Sequence, residues 1–193
     1  MEKKIYAHFD SEGIYVYQAF KPEIVAAALE KGTFSKGFNM ERMTWIKPSF
    51  AWMLYRSGYA SKHRQEAILK IKIRHEGFIE ILRDAVPTTY DSNLFHSKEL
   101  WSDTLKKSSV RYQWDPDRDL FLRKIERRAI QLGIRGQMVK NYVNDWILEL
   151  EEVTHLAHEI KNSLSSKKLP VVPEETVYQI HDEKIRKQMQ IEE

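Results

Sequence analysis

Cysteine is absent from the 193 residues, which excludes disulfides, thiolate nucleophiles and every thiolate-held zinc or iron–sulfur site. Glycine is sparse, with 7 residues, and none are grouped into the glycine-rich cradle of a Walker-type phosphate site. No apolar run approaches the roughly 18 residues of a membrane span. The opening from Met1 to Gly13 alternates charged and apolar residues and lacks the apolar run of a secretory signal. Neither sign of charge dominates: Lys+Arg number 31 and Asp+Glu 28, for a net +3. Uniform attraction to polyanions is therefore not implied. A cytoplasmic protein without a membrane partner is the expectation.

What is present suffices for a folded body. Hydrophobic residues make up 42% and charged residues 31%, enough apolar surface for a core in a chain of one-domain length. The expected division is one domain over 1–164 and an extended tail over 165–193, where Lys167, Lys168, Pro170 and Pro173 accumulate before a charged end. No internal repeat is visible.

Ile14–Ala19 is β-branched and aromatic and reads as a strand. Pro22 opens a helix through Leu29 that Gly32 closes. Arg42–Ile46 reads as a second strand stopped by Pro48, with Ser49 capping a helix over Phe50–Ser57 that ends at Gly58. Leu69, Ile71 and Ile73 alternate with Lys70 and Lys72, the pattern of a strand with one wet face. His75–Ala85 is helical, and 86–109 reads as a long loop with one short helix. Val110–Trp114 is a strand ended by Asp115-Pro116. Over 129–164 two readings stay open: strand, helix, strand and helix in turn, or one long helix over Gln137–Leu164. Asn141, Asn144 and the run Trp146-Ile147-Leu148 favour the broken version. The fold class is α+β, with small mixed or antiparallel sheets flanked by short helices.

Three clusters carry candidate chemistry. RMTWIKPSFAWMLYR, Arg42–Arg56, sets Lys47 and the Ser49 hydroxyl at a strand-to-helix turn, where unpaired backbone N–H groups and the positive end of a helix dipole favour an anion. Between Glu41 and His75 eight basic residues face two acidic ones, a local +6 that leaves −3 for the remainder. That basic region is a footprint for a phosphate-bearing ligand or nucleic acid. Second, RYQWDPDR, Arg111–Arg118, offers Gln113 or Asp115 as an orienting or acid–base group, against an Asp115–Arg118 pair that merely holds the turn. Third, Glu152, His155, His158 and Glu159 contain a single Glu-x-x-His unit, whereas di-metal bundles use two, so no metal is assigned.

The strings RMTWIKPSFAWMLYRSG, VYQAF, QWDPDRD and RAIQLGIRG resemble one family, domain of unknown function 4291, over nearly the whole chain. The resemblance implies no activity, but it nominates Tyr17, Gln18, Arg42, Thr44, Lys47, Ser49, Arg56, Gln113, Asp115 and Arg118. The order of elements is also similar to ADP-ribosyltransferase-like folds, with counterparts at Val16–Ala19, Lys31–Phe34 and Thr44–Phe50. That likeness implies NAD in a cleft between two small sheets and gives Gln113 the place of the late-strand Glu or Gln. The chain departs from the pattern in having no Arg or His on its first strand.

Three functions follow as expectations. The leading one is an enzyme on a nucleotide or phosphorylated ligand, in which Tyr17, Arg42, Thr44, Lys47, Ser49, Arg56 and Arg118 bind and Gln18, Gln113 and Asp115 act. NAD-dependent ADP-ribosyl transfer is its sharpest form. Beside it stand an RNA-binding module that stacks bases on Trp45, Trp52 and Trp114, and a non-catalytic interaction protein whose aromatic string is core.

Overall fold

A computed structural model describes residues 2–166 and 168–192. In chain order the elements are β1 (Tyr6–Ala7), β2 (Gly13–Phe20), α1 (Pro22–Lys31), β3 (Thr44–Ile46), α2 (Phe50–Ser57), β4 (Ala67–Arg74), α3 (His75–Arg83), β5 (Ala85–Pro87), α4 (Lys98–Lys107), β6 (Val110–Arg118), β7 (Lys124–Ile134) and α5 (Gln137–Asn141). A π-helical turn, Tyr142–Trp146, then leads into β8 (Ile147–Glu152), α6 (Thr154–Ser163), β9 (Thr176–Val177) and α7 (Glu183–Met189). The fold is α+β. One sheet is antiparallel in the order β2-β4-β8, a second has the order β3-β7-β6-β5 and is mixed, and β1 pairs with β9. The parallel pair in the second sheet is β5 with β6, which α4 connects in the way a parallel pair requires.

The two larger sheets meet at one place. Tyr17 of β2 and Lys47, just past β3, exchange backbone bonds: Tyr17 N–H donates to Lys47 O at 2.7 Å and Lys47 N–H to Tyr17 O at 3.3 Å. Pro48 follows and ends the strand, so β3 is short and its end is held against the other sheet.

The main core lies beneath both sheets. It joins Ile14 and Val16 of β2, Leu69, Ile71 and Ile73 of β4, Leu132 and Ile134 of β7, and Phe78, Ile81 and Leu82 of α3. A second cluster on the other side of β4 joins Ile68 to Tyr17, Phe50, Met53 and Leu54, and to Val153, Ala157 and Ile160 on and before α6. The central strand is thus buried on both faces, unlike the one-wet-face strand expected from its lysines. Lys72 is buried and its ammonium meets Asp10 at 2.8 Å and Glu12, which keep it charged with a pKa raised by those hydrogen bonds. Lys70 sits beside Glu151 of the neighbouring strand.

The broken reading of 137–164 is the observed one, since Ile147–Glu152 pairs with β4. Other boundaries moved. β6 does not end at Asp115-Pro116 but runs to Arg118, because β5 has stopped at Pro87 opposite Tyr112 and the edge beside Pro116 needs no donor. β7 begins at Lys124 rather than Ala129 for the same reason: it follows its partner. The segment 86–109 carries the one short helix expected of it, α4, and its start joins the second sheet as β5, which was not expected.

Beyond α6 the chain returns to the body. β9 pairs with β1, and Tyr178, Ile180, Ile185 and Met189 are buried in the main core. Two β6 side chains hold α7 by its backbone: Tyr112 Oη donates to Gln188 O at 2.9 Å and Trp114 Nε1 to Met189 O at 3.0 Å. No helix among the described residues is long and apolar enough to cross a membrane.

The π-helical turn carries Trp146 onto α3 at Gly77, where an added Cβ would stand 2.4 Å from the indole. Gly77→Ala is therefore expected to cost about 1–3 kcal/mol of unfolding free energy through overpacking, read as a lower urea midpoint with unchanged far-ultraviolet circular dichroism.

Candidate ligand site where the two sheets meet

The β2–β3 junction decides the environment of the Lys47 side chain. Held by the Tyr17 pair, Lys47 is 6% exposed. Its ammonium donates to Trp45 O at 3.3 Å and lies over the Trp52 ring, 5.6 Å from the centroid. No carboxylate comes within ion-pair distance among the described residues, although Asp115 is close enough to act on it through space. Burial pushes its pKa down from 10.5 to about 7, the Arg56 guanidinium adds to that, and Asp115 opposes it.

Beside this amine opens a hollow of about 400 Å³, walled by Gln18, Thr44, Trp45, Lys47, Arg56 and Gln131, among others. Its residues come from both sheets and from α2. Gln18 is buried and committed: its Nε2 donates to Thr44 Oγ1 at 2.7 Å and Trp45 O at 3.1 Å, and its Oε1 accepts from Tyr142 Oη at 2.7 Å. Of its two nitrogen protons and its carbonyl, each has a protein partner. Gln18 therefore positions β3 against β2 rather than orienting a reacting group, and Thr44 is the partner it holds.

On the floor of the second sheet, Gln131 of β7 and Gln113 of β6 are direct cross-strand neighbours. Both reach Asp115, whose Oδ2 accepts from Gln131 at 2.7 Å and Oδ1 from Gln113 at 2.8 Å. The exposed Gln113 does not line the Lys47 hollow but another, with Thr88 and Tyr90. Sequence reading missed Gln131; its one signal was a register opposite Gln113 that no single chain segment displays. Gln65 of the same hollow left no signal at all.

The neighbouring anion site expected at the start of α2 is already filled. Ser49 is 2% exposed; its hydroxyl accepts from Trp52 N–H at 3.2 Å and donates to Asp117 Oδ1 at 2.8 Å. Phe50 N–H donates to Glu175 Oε1 at 2.6 Å, and Arg127 ties Asp117 (2.7 Å) to Glu175 (3.1 Å). The negative guest that the helix N-terminus favours is the chain's own Glu175, so Ser49 is a structural cap. Burial, with Asp117 nearby, raises the Glu175 pKa to about 7 against the pull of Phe50 N–H and Arg127.

The other nominated residues scatter. The Tyr17 ring is fully buried against Phe50 with its hydroxyl unpartnered, and burial raises its pKa well above 10.0. Arg118 does not pair with Asp115: its guanidinium lies 3.9 Å from the centre of the Tyr55 ring and donates to Leu122 O at 3.2 Å. Arg42 is exposed at the edge of a second hollow that adjoins the first through Phe20, Met43 and Thr44. The tryptophans share no face. Trp45 is half-buried on the hollow, Trp52 is buried on α2, and Trp114 is tied to α7.

One contrast singles the region out. Most arginines here have work inside the protein, as in Arg127 with Asp117, Arg123 with Asp119 or Arg135 with Ser108 O. Among the described residues, Arg42, Arg56, Arg64 and Arg128 have side chains without a hydrogen bond, ion pair or ring contact, and the first three line the two adjoining hollows.

The Lys47 pKa makes stability depend on pH. The unfolded chain keeps this proton up to about 10.5 and the folded chain releases it near 7, so between those values the unfolded state binds more protons and stability rises with pH. Lys47→Met removes that dependence. The variant is expected to be about 2–4 kcal/mol more stable than the parent at pH 7, the gap narrowing by up to about 1.4 kcal/mol per pH unit toward pH 10.5. Urea unfolding across that pH series measures it.

No curated protein matches the chain. The family described as Domain of unknown function (DUF4291) matches residues 4–178, a span that reaches from the N-terminal segment to the buried Tyr178 and takes in both sheets and every residue of the Lys47 hollow. The chain belongs to that family.

Proposed function

We propose that the hollow between the sheets binds the phosphate of a small phosphorylated molecule, and that the protein is an enzyme acting on it. The observation that carries this reading is the Lys47 ammonium, buried without a carboxylate partner and facing a hollow of about 400 Å³ beside the unpaired Arg56. A buried cation is costly unless something compensates it. An entering phosphate supplies that compensation, accepts hydrogen bonds from both Lys47 and Arg56, and restores the Lys47 proton.

Catalysis in this reading draws on the same lysine. Held protonated by the phosphate, Lys47 is a fixed cation beside the reacting group, where it stabilises negative charge that develops there. Asp115, aligned by Gln131, is the carboxylate whose field reaches it. NAD-dependent ADP-ribosyl transfer is the sharper version: developing positive charge on the ribose would fall to Asp115 in place of a late-strand Glu, with Gln113 turned to the other hollow.

Thermal-shift measurements against inorganic phosphate, pyrophosphate, nucleoside phosphates, NAD and short RNA test the reading, since a ligand of the folded state raises its apparent stability. Phosphate-bearing compounds are expected to raise the melting temperature of the parent and not of Lys47→Met or Arg56→Gln. Ser49→Ala should lose about 1–2 kcal/mol of stability as a helix cap and keep the full ligand shift. No shift with any phosphate at millimolar concentration defeats the reading, and a shift with RNA alone, insensitive to Lys47, replaces it with nucleic-acid binding. Because binding requires protonated Lys47, pyrophosphate affinity is expected to fall above pH 7, by at most about tenfold per pH unit; calorimetric titrations from pH 7 to 9 check it.

A further inference from the structure

The second hollow, of about 510 Å³, is chemically unlike the first. One wall is aromatic and rigid. Phe38 stacks on Phe34 with ring centres 4.2 Å apart, and Phe20 meets both edge-on, 5.3 Å from Phe34 and 5.9 Å from Phe38. Phe34 is buried in the main core and anchors the other two rings. Ile24 of α1 lines the same hollow. Gly37, in the left-handed region at φ +84°, comes so close to Ile24 that a Cβ would lie 3.0 Å from its Cγ1. A bare glycine thus shapes this hollow where a side chain would crowd it.

Two unpaired arginines, Arg42 and Arg64, border the same space. Phe20, Met43 and Thr44 line both hollows, so the two adjoin as neighbouring compartments. The first offers Lys47 and Arg56, Thr44 is shared, and the second offers an apolar wall bordered by Lys21, Arg42 and Arg64 and by one carboxylate, Glu23. Small-molecule sites commonly combine an apolar wall with a few polar anchors in this manner.

We infer that the two compartments hold one nucleotide, with its phosphates at Lys47 and Arg56 and its base against Phe20 and Phe38, bordered by Arg42. The inference rests on the phosphate reading of the Lys47 hollow and narrows its ligand from any phosphorylated compound to a nucleoside phosphate. A sugar phosphate would leave the aromatic wall bare. A heterocycle covers it, its face on the Phe38 ring at the spacing aromatic pairs adopt, while the guanidinium of Arg42 is placed to approach the base edge or the ribose hydroxyls.

The test is calorimetric titration of the full chain with pyrophosphate, ribose 5-phosphate and the four nucleoside diphosphates ADP, GDP, CDP and UDP. At least one nucleoside diphosphate is expected to bind tenfold or more tightly than pyrophosphate and ribose 5-phosphate. Phe38→Ala should erase most of that advantage while leaving pyrophosphate affinity within about twofold. Since Phe38 also packs on the core, Ile24→Gln, at a half-buried position lining the same hollow, serves as the second variant and is expected to weaken the nucleotide alone. Melting curves of both variants establish that they fold.

Equal affinity for pyrophosphate and all four nucleotides, abolished by Lys47→Met, overturns the nucleotide assignment and leaves the phosphate site standing. Preferential nucleotide binding that neither Phe38→Ala nor Ile24→Gln weakens overturns the placement of the base. Failure of every compound to bind removes the phosphate reading itself, and this inference with it.

Discussion

The backbone pair between Tyr17 and Lys47 is the joint on which the molecule turns. It ties the β2-β4-β8 sheet to the β3-β7-β6-β5 sheet at the last residue before Pro48. Three consequences follow from that one contact. β3 is held short, the α2 helix starts immediately beyond it, and the Lys47 side chain is carried beneath the surface. A lysine at the free end of an edge strand would extend its ammonium into water. Here the side chain is buried, with its ammonium donating to the Trp45 carbonyl beside the Trp52 ring. Gln18, next to Tyr17, reinforces the joint by bonding Thr44, Trp45 and Tyr142 at once.

The chain treats its two neighbouring cationic places in opposite ways. At the start of α2 it supplies its own anions, Asp117 and Glu175, and its own counter-cation, Arg127. That network is internally paired, and it draws the segment after Leu164 back over the body, next to the β9–β1 pair. Around Lys47, a few residues away, the chain supplies no such partner. On one side of Pro48 the fold pairs its buried charges with one another, and on the other it leaves the Lys47 amine facing a hollow.

Local signals were legible because local rules produce them. Pro22, Gly32, Pro48, Ser49 and Gly58 each stand where the structure uses them: first helical turn, left-handed cap, strand stop, N-cap and left-handed cap. The basic excess between Glu41 and His75 includes Lys47, Arg56 and Arg64, which line the two adjoining hollows. What it could not separate were lysines that belong to the fold, such as Lys72 under Asp10 and Glu12, from those that face the hollow. The motif RMTWIKPSF likewise placed Lys47 and Ser49 side by side, and only their surroundings assign one to a cavity and the other to a cap.

The amino-acid order by itself determined the kinds of element, most of their ends, the α+β class and the family, because caps, periodicity and proline act over a few residues. Tertiary structure decided the rest: which strands lie together, that Glu175 meets the α2 N-terminus, that Gln131 bonds Asp115, and that Arg42, Arg56 and Arg64 are left unpaired around two adjoining hollows. Those are contacts between residues tens of positions apart. Burial and charge compensation depend on what surrounds a side chain in space, and Tyr17, Gln18, Asp115 and Gln131, which meet Lys47, act on it or line its hollow, lie far from it in sequence.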